Sequence, residues 1–170
     1  MTGERPDICA ACGECCRTRP GVEAPERFLA DADPAAALSR ALASRDWVLA
    51  RHVGVAWSDG VPPPDAERWR VIRYPRPATI AERAAGSVHT GAENAPCVFL
   101  EATGCRLPFA GRPRMCRELE PWANGDCQET WDLPHAARDW APWQGLIDEA
   151  LRQLPGSPVP AARVQGAAKE

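Results

Sequence analysis

A chain of 170 residues with a hydrophobic fraction of 45% is enough for one compact domain with a core, since domains typically run to roughly 100–200 residues. A formal charge of −3 and a pI near 5.7 argue against nucleic-acid binding, which usually shows as a basic face or a pI above about 9. No run of about 18 apolar residues is present, so no transmembrane helix is expected. Seven Trp stand against three Phe and one Tyr, and 18 Pro with 13 Gly interrupt any long element. The expectation is a small, irregular α+β fold of short helices and a hairpin, organised around something besides aliphatic packing.

In chain order, residues 1–8 form a short polar lead without the apolar stretch of a secretory signal, and the cytoplasm is the expected compartment. Cys9 to Cys16 reads as a tight, Gly-containing turn too crowded with potential ligands for a plain helix or strand. Asp33-Pro34 supplies a helix cap followed by Pro at the first helical position. The Ala/Leu-rich run from Ala35 to Arg51 continues as one or two helices, with Leu38, Leu42, Val48 and Leu49 as core candidates. Gly54 to Pro64 ends in three prolines and reads as an exposed loop.

Trp69 to Tyr74 is β-rich and partly alternating, which predicts a strand. A short helix follows over Ala78–Ala85. Cys97 to Leu107 reads as a hairpin turning at Glu101-Ala102-Thr103-Gly104. Arg112-Pro113 opens a short helix to about Leu119, and a last amphipathic stretch spans Ala136 to Leu154 before Pro155-Gly156. Residues 1–155 are read as one domain and 156–170 as a flexible tail.

The chemistry lies in eight cysteines: Cys9, Cys12, Cys15, Cys16, Cys97, Cys105, Cys116 and Cys127. Disulfide-dense scaffolds are generally secreted and short, and buried inert thiols account for one or two cysteines rather than four within eight positions. Metal ligation is the stronger reading. Thiolate is a soft donor suited to zinc, copper(I) and iron–sulfur clusters. The C-x2-C-x2-C run at Cys9, Cys12 and Cys15 matches the spacing with which bacterial ferredoxins wrap one cluster. Zinc sites usually pair two C-x2–4-C knuckles, and no second knuckle follows. Iron, as an iron–sulfur cluster or iron–thiolate centre, is therefore favoured over zinc. Eight thiolates permit two four-ligand sites or one multinuclear site, and the partition stays open.

Gly13 suits a ligand loop that needs positive φ. Arg112, Arg114 and Arg117 flank Cys116 and could offset the charge of an anionic cluster or bind an acidic substrate; a structural or solvated role is the plainer reading. His52, His89 and His135 lie more than three residues from any cysteine and read as surface or packing residues, with His89 the one whose loop could reach a site. Trp122, Trp131, Trp140 and Trp143 could shield a cluster from water, though core packing explains them as well. Glu14 could face an open coordination position; Glu118 and Glu120 are weaker candidates.

Cys9-x-x-Cys12-Gly13-x-Cys15-Cys16, Cys97-Val98-Phe99-Leu100, Gly104-Cys105 and Arg112-Pro113-Arg114-Met115-Cys116-Arg117 together resemble the YkgJ family, proteins with a CxxCxxCC zinc- or iron-chelating domain. The resemblance implies a metal-binding protein whose partners are metal ions and an unidentified redox or protein partner. Flagellin lysine methylases resemble the same domain, so a metal-dependent protein-modifying enzyme is the first alternative, and a zinc-stapled interaction module the second. No P-loop, dinucleotide fingerprint, H-E-x-x-H or G-x-S-x-G occurs. The segments 17–96 and 118–170 carry no part of the resemblance.

Overall fold

The computed structural model describes residues 13–54, 70–89, 94–121 and 127–155. Cys9, Cys12, the loop beyond Gly54, Trp122 and the tail from Gly156 lie outside the described residues. The fold is small and mixed α+β: short helices and three two-stranded antiparallel pairs among the described residues. No helix among them is long and apolar enough to cross a membrane.

Helix α1 (Glu14–Thr18) carries Cys15 and Cys16, so the end of the first cysteine cluster is helical rather than a plain turn. The reason is local. Gly13 takes φ +62 at the N-cap, as expected of a left-handed position, and its carbonyl then accepts the Arg17 N–H at 3.1 Å to close the turn. After α2 (Glu26–Leu29), helix α3 (Pro34–Ala43) starts as predicted: Asp33 caps it by accepting the Ala36 N–H at 3.0 Å, and Pro34 follows.

The helix does not run to Arg51. It stops at Ala43, Arg45 turns the chain with φ 63, and Trp47–Gly54 is strand β1. Trp47 to Ala50 are all buried, and a continuous apolar run of this length looks the same in a buried strand as in a buried helix. Strand β2 (Arg70–Pro77) pairs antiparallel with β1, from Trp47↔Pro77 to Gly54↔Arg70. Pro75 faces Leu49, whose own N–H points away from β2 to the Val88 carbonyl at 2.8 Å. Pro75 and Pro77 thus occupy positions that owe β1 no hydrogen bond, where proline is tolerated.

Helix α4 (Ile80–Ala85) begins with a full capping box, Thr79 with Glu82. The predicted hairpin is present but short, β3 (Leu100–Glu101) against β4 (Gly104–Cys105). Helix α5 (Arg114–Arg117) follows, then a second hairpin, β5 (Leu119–Pro121) with β6 (Cys127–Glu129). The final amphipathic stretch is two helices, α6 (Leu133–Trp140) and α7 (Gln144–Arg152), divided by a 3-10 turn at Ala141–Trp143. Pro142 lacks the N–H an unbroken helix would use.

One hydrophobic cluster runs from Val22 to Ala150. Helix α6 packs on β1–β2 and α7 lies against α3. Leu38, Leu42, Val48 and Leu49 are all fully buried. Phe28 meets Trp47 and Trp140 at ring distances of 6.3 and 6.1 Å, and Trp47 meets Phe99 at 6.2 Å, within the range of favourable aromatic pairs.

Candidate metal centre

Three backbone connections bring cysteine-bearing segments together. Cys97 donates its N–H to the Cys16 carbonyl at 2.7 Å, joining α1 to the segment before β3. Leu100 pairs with Cys105 across the hairpin and donates to the Cys97 carbonyl at 3.0 Å, so Cys97 and Cys105 flank one small turn. Gly21 then meets Cys116: its backbone N–H bonds to the Cys116 sulfur, and a Cβ built on Gly21 would lie 2.4 Å from that Sγ. Only a residue without a side chain admits this approach.

Electrostatics report the same convergence. Burial pushes the Cys97 thiol up to about 12; the Phe99 N–H opposes this, Cys16 and Cys105 add to it, and the Arg76 guanidinium opposes it weakly. Burial likewise pushes Cys116 far above the ordinary thiol range, with Cys16, Cys97 and Cys105 adding to the rise. A thiolate here is costly alone, because desolvation and like charge both disfavour it. A soft cation would supply the missing countercharge, and four thiols are a suitable donor set for one.

The sulfurs are not gathered at coordination distance. Among the described residues no three His, Cys, Asp or Glu are arranged to hold a metal ion as they stand. Cys9 and Cys12 lie outside the described residues. Cys15 is half-buried on α1 beside Cys16. Cys127 is half-buried at the start of β6, opposite Pro121, and is not among the main charges acting on Cys97 or Cys116.

The other candidate residues fall into structural roles. Arg112 is buried, donating to the Leu107 carbonyl at 3.2 Å and lying over the Phe109 ring. Arg114 pairs with Glu118 at 2.7 Å and stacks on Trp131. Arg117 lies 3.8 Å from Glu23. Glu14 is exposed and paired with Arg17 at 3.2 Å rather than facing a ligand position. Trp131 and Trp140 are core residues, while Trp143 is partly exposed. His52 sits on β1 opposite Ile72, and His135 on α6 bonds the Asp132 carboxylate at 2.6 Å. His89 bridges to Leu49 beside β1, and burial, then Arg51 and Arg73, hold its pKa below the ordinary imidazole value.

Sequence reasoning missed two buried polar centres that support the cysteine segments. Glu23, fully buried, accepts from the Ala24 and Arg114 backbone N–H groups at 3.0 and 3.1 Å and from Arg27 at 2.8 Å. Its carbonyl accepts the Trp140 indole N–H at 2.7 Å. Together with the Met115 N–H bond to the Val22 carbonyl at 3.1 Å, this fixes α5, and so Cys116, against the Gly21 segment. The second centre is Arg76 with Glu82, bidentate at 3.0 and 2.9 Å, next to Cys97. The Thr79-x-x-Glu82 capping pattern was legible; nothing in sequence singles out Glu23.

Compared with known proteins, the chain has no significant match to any family model, curated protein or solved structure. A shallow cleft of about 240 Å³ lies between α3 and the end of α7, lined by Ala36, Ser39, Arg40, Ala43, Gln153 and Pro155. No cysteine borders it.

Proposed function

We propose that this is a metal-binding protein in which the clustered cysteines hold an iron–sulfur or iron–thiolate centre, serving electron transfer, metal handling or the fold itself. The observation that carries the reading is that backbone contacts join cysteine-bearing segments: the Cys97 N–H bonds the Cys16 carbonyl at 2.7 Å, Cys105 lies opposite Leu100 in the same turn, and Gly21 packs directly against the Cys116 sulfur. Cys9, Cys12 and Cys15 at C-x2-C-x2-C spacing add the ligand run seen in ferredoxins, and the resemblance to CxxCxxCC proteins points the same way. N–H groups of Gly21 and Phe99 directed at sulfur are of the kind that tune thiolate-bound metals. In this reading the α+β fold is organised around the centre, and the residues' part is to bring soft donors together, shield them and donate hydrogen bonds to them.

The test is purification of the full chain without oxygen, followed by iron, zinc and acid-labile sulfide analysis and an optical spectrum. A brown protein with stoichiometric iron and thiolate-to-iron absorption is expected. Colourless protein with stoichiometric zinc would replace this reading with a zinc-stapled module, and protein that takes up neither metal refutes both. Cys12→Ser is expected to lower metal content and melting temperature, because a hydroxyl is a poor substitute for thiolate. Cys127→Ser is expected to be milder.

A further inference from the structure

We infer that Arg51, Arg73 and His89 form a binding site for a tetrahedral oxyanion, the phosphoryl group of a small phosphate monoester or free phosphate. The site stands apart from the cysteines and does not depend on a metal.

Strand register sets the three residues on one face. Arg51 lies directly opposite Arg73 in the β1–β2 ribbon. The Gln144 carboxamide accepts the Arg73 N–H at 3.1 Å and donates to the Arg73 carbonyl at 2.9 Å, so both groups turn outward from β1. Arg51 and Arg73 are thus a non-hydrogen-bonded pair, in which opposite side chains come closest, about 4.5–5.5 Å between Cβ atoms. His89 bridges in parallel to Leu49 on the outer edge of β1. Leu49 and Arg51 are two residues apart and share a face, and a diagonal neighbour at about 7–8 Å is within reach of a long side chain. Arg76, three residues beyond Arg73, alternates to the opposite face, where it meets Glu82 beside Cys97.

Charge on the Arg51 face is unbalanced. Like charges directly opposite one another destabilise a ribbon. One carboxylate, Asp148, meets Arg73 at 2.8 Å, and among the described residues Arg51 pairs with none. Arg51 is exposed and His89 half-buried. His89 Nδ1 is closed off from solvent without a hydrogen-bond partner, and burial, then Arg51 and Arg73, disfavour the charged imidazole. The neutral ring keeps one N–H donor, and an unpaired buried nitrogen is an exception that a bound ligand resolves.

The donor set selects a phosphoryl group. Gln144 accepts from Arg73 Nε at 3.3 Å and Asp148 from Nη2 at 2.8 Å, which holds the guanidinium in place and leaves Nη1 without a bond among the described residues. Arg51 adds its own fork of N–H groups and His89 a single one. A planar carboxylate is satisfied by one arginine fork, as Asp148 shows. Donors from two strands and a flanking segment suit an anion with three or four oxygens.

The experiment titrates the full chain, at fixed ionic strength, with inorganic phosphate, glycerol phosphate and acetate, following backbone amide resonances and Tm. Both phosphates are expected to give saturable shifts at Arg51, Arg73 and His89 and to raise Tm with concentration, while acetate binds more weakly. Arg51→Gln is expected to bind phosphate about tenfold or more weakly, as for a lost charge-assisted hydrogen bond. Without phosphate it is expected to melt no lower than wild type, because a like-charge contact is relieved. Arg40→Gln, at an exposed arginine of α3, is expected to keep wild-type affinity. Tighter binding of glycerol phosphate assigns the site to a monoester, and equal or tighter binding of phosphate assigns it to the free ion. Wild-type affinity in Arg51→Gln, acetate binding as tightly as phosphate, or shifts that never saturate would overturn the site. His89→Ala is expected to weaken phosphate by a smaller factor, and unchanged affinity there would remove His89 from it.

Discussion

Replacing Glu82 with leucine probes the support beside Cys97. Both side chains of the Arg76–Glu82 pair are almost fully buried, at 3% and 4% exposure. The Glu82 carboxylate accepts two guanidinium bonds at 3.0 and 2.9 Å and the Thr79 N–H at 2.8 Å. Glu82→Leu removes all three and leaves the Arg76 charge with the Pro77 carbonyl, at 2.7 Å, as its remaining bond of this set. Stranding one partner of a buried pair costs about 3–5 kcal/mol, whereas replacing both with apolar groups of similar volume is often neutral or stabilising. For a chain of this size about 1 kcal/mol moves Tm by roughly 2–4 °C, so Glu82→Leu is expected to lower Tm by about 6–20 °C. Arg76→Met/Glu82→Leu is expected to recover most of that loss, its remaining deficit being the Thr79 capping bond. Thermal and guanidinium denaturation of wild type, both single variants and the double, with chelator present throughout, measure the coupling. A single variant within about 1 kcal/mol of wild type, or a double variant less stable than the two singles combined, would refute the assignment of a stranded charge.

Glu23→Ala is expected to cost about 3–5 kcal/mol in a denaturant titration, because two backbone N–H groups and a guanidinium lose a fully buried acceptor; Arg27→Ala, whose side chain is 36% exposed, is expected to cost less. For His89 the sign follows from its depressed pKa: the unfolded chain holds more protons than the folded one between the folded value and 6.5. Stability present above pH 6.5 is therefore lost as pH falls through the folded value, and His89→Gln is expected to flatten that part of the stability–pH profile. An identical slope in the variant would show that another group carries it.

Much of the local structure was written in local chemistry. Asp33-Pro34 started a helix because a carboxylate can accept an N–H at the third position while proline needs none there, and both acts are decided within four residues. Glu101 to Gly104 turned a hairpin for the same kind of reason. The segment Trp47 to Ala50 was not decided locally. An apolar run of four suits a strand or a helix equally, and β2 settled it by offering a partner ladder. The helical state of Cys15 and Cys16 was also missed, since ligand crowding says nothing about whether a preceding glycine can close a helical turn.

For the candidate site, residue identity alone fixed the number of cysteines and their tight amino-terminal spacing. Tertiary structure decided which cysteine-bearing segments meet. A 2.7 Å bond from Cys97 to Cys16, a short hairpin that sets Cys105 opposite Leu100, and a glycine pressed on the Cys116 sulfur join segments that lie far apart in the chain. The buried Glu23 and Arg76–Glu82 contacts that hold those segments have the same origin. A charged side chain reads as solvated in a sequence, and only the packing around it reveals that its partners have replaced water.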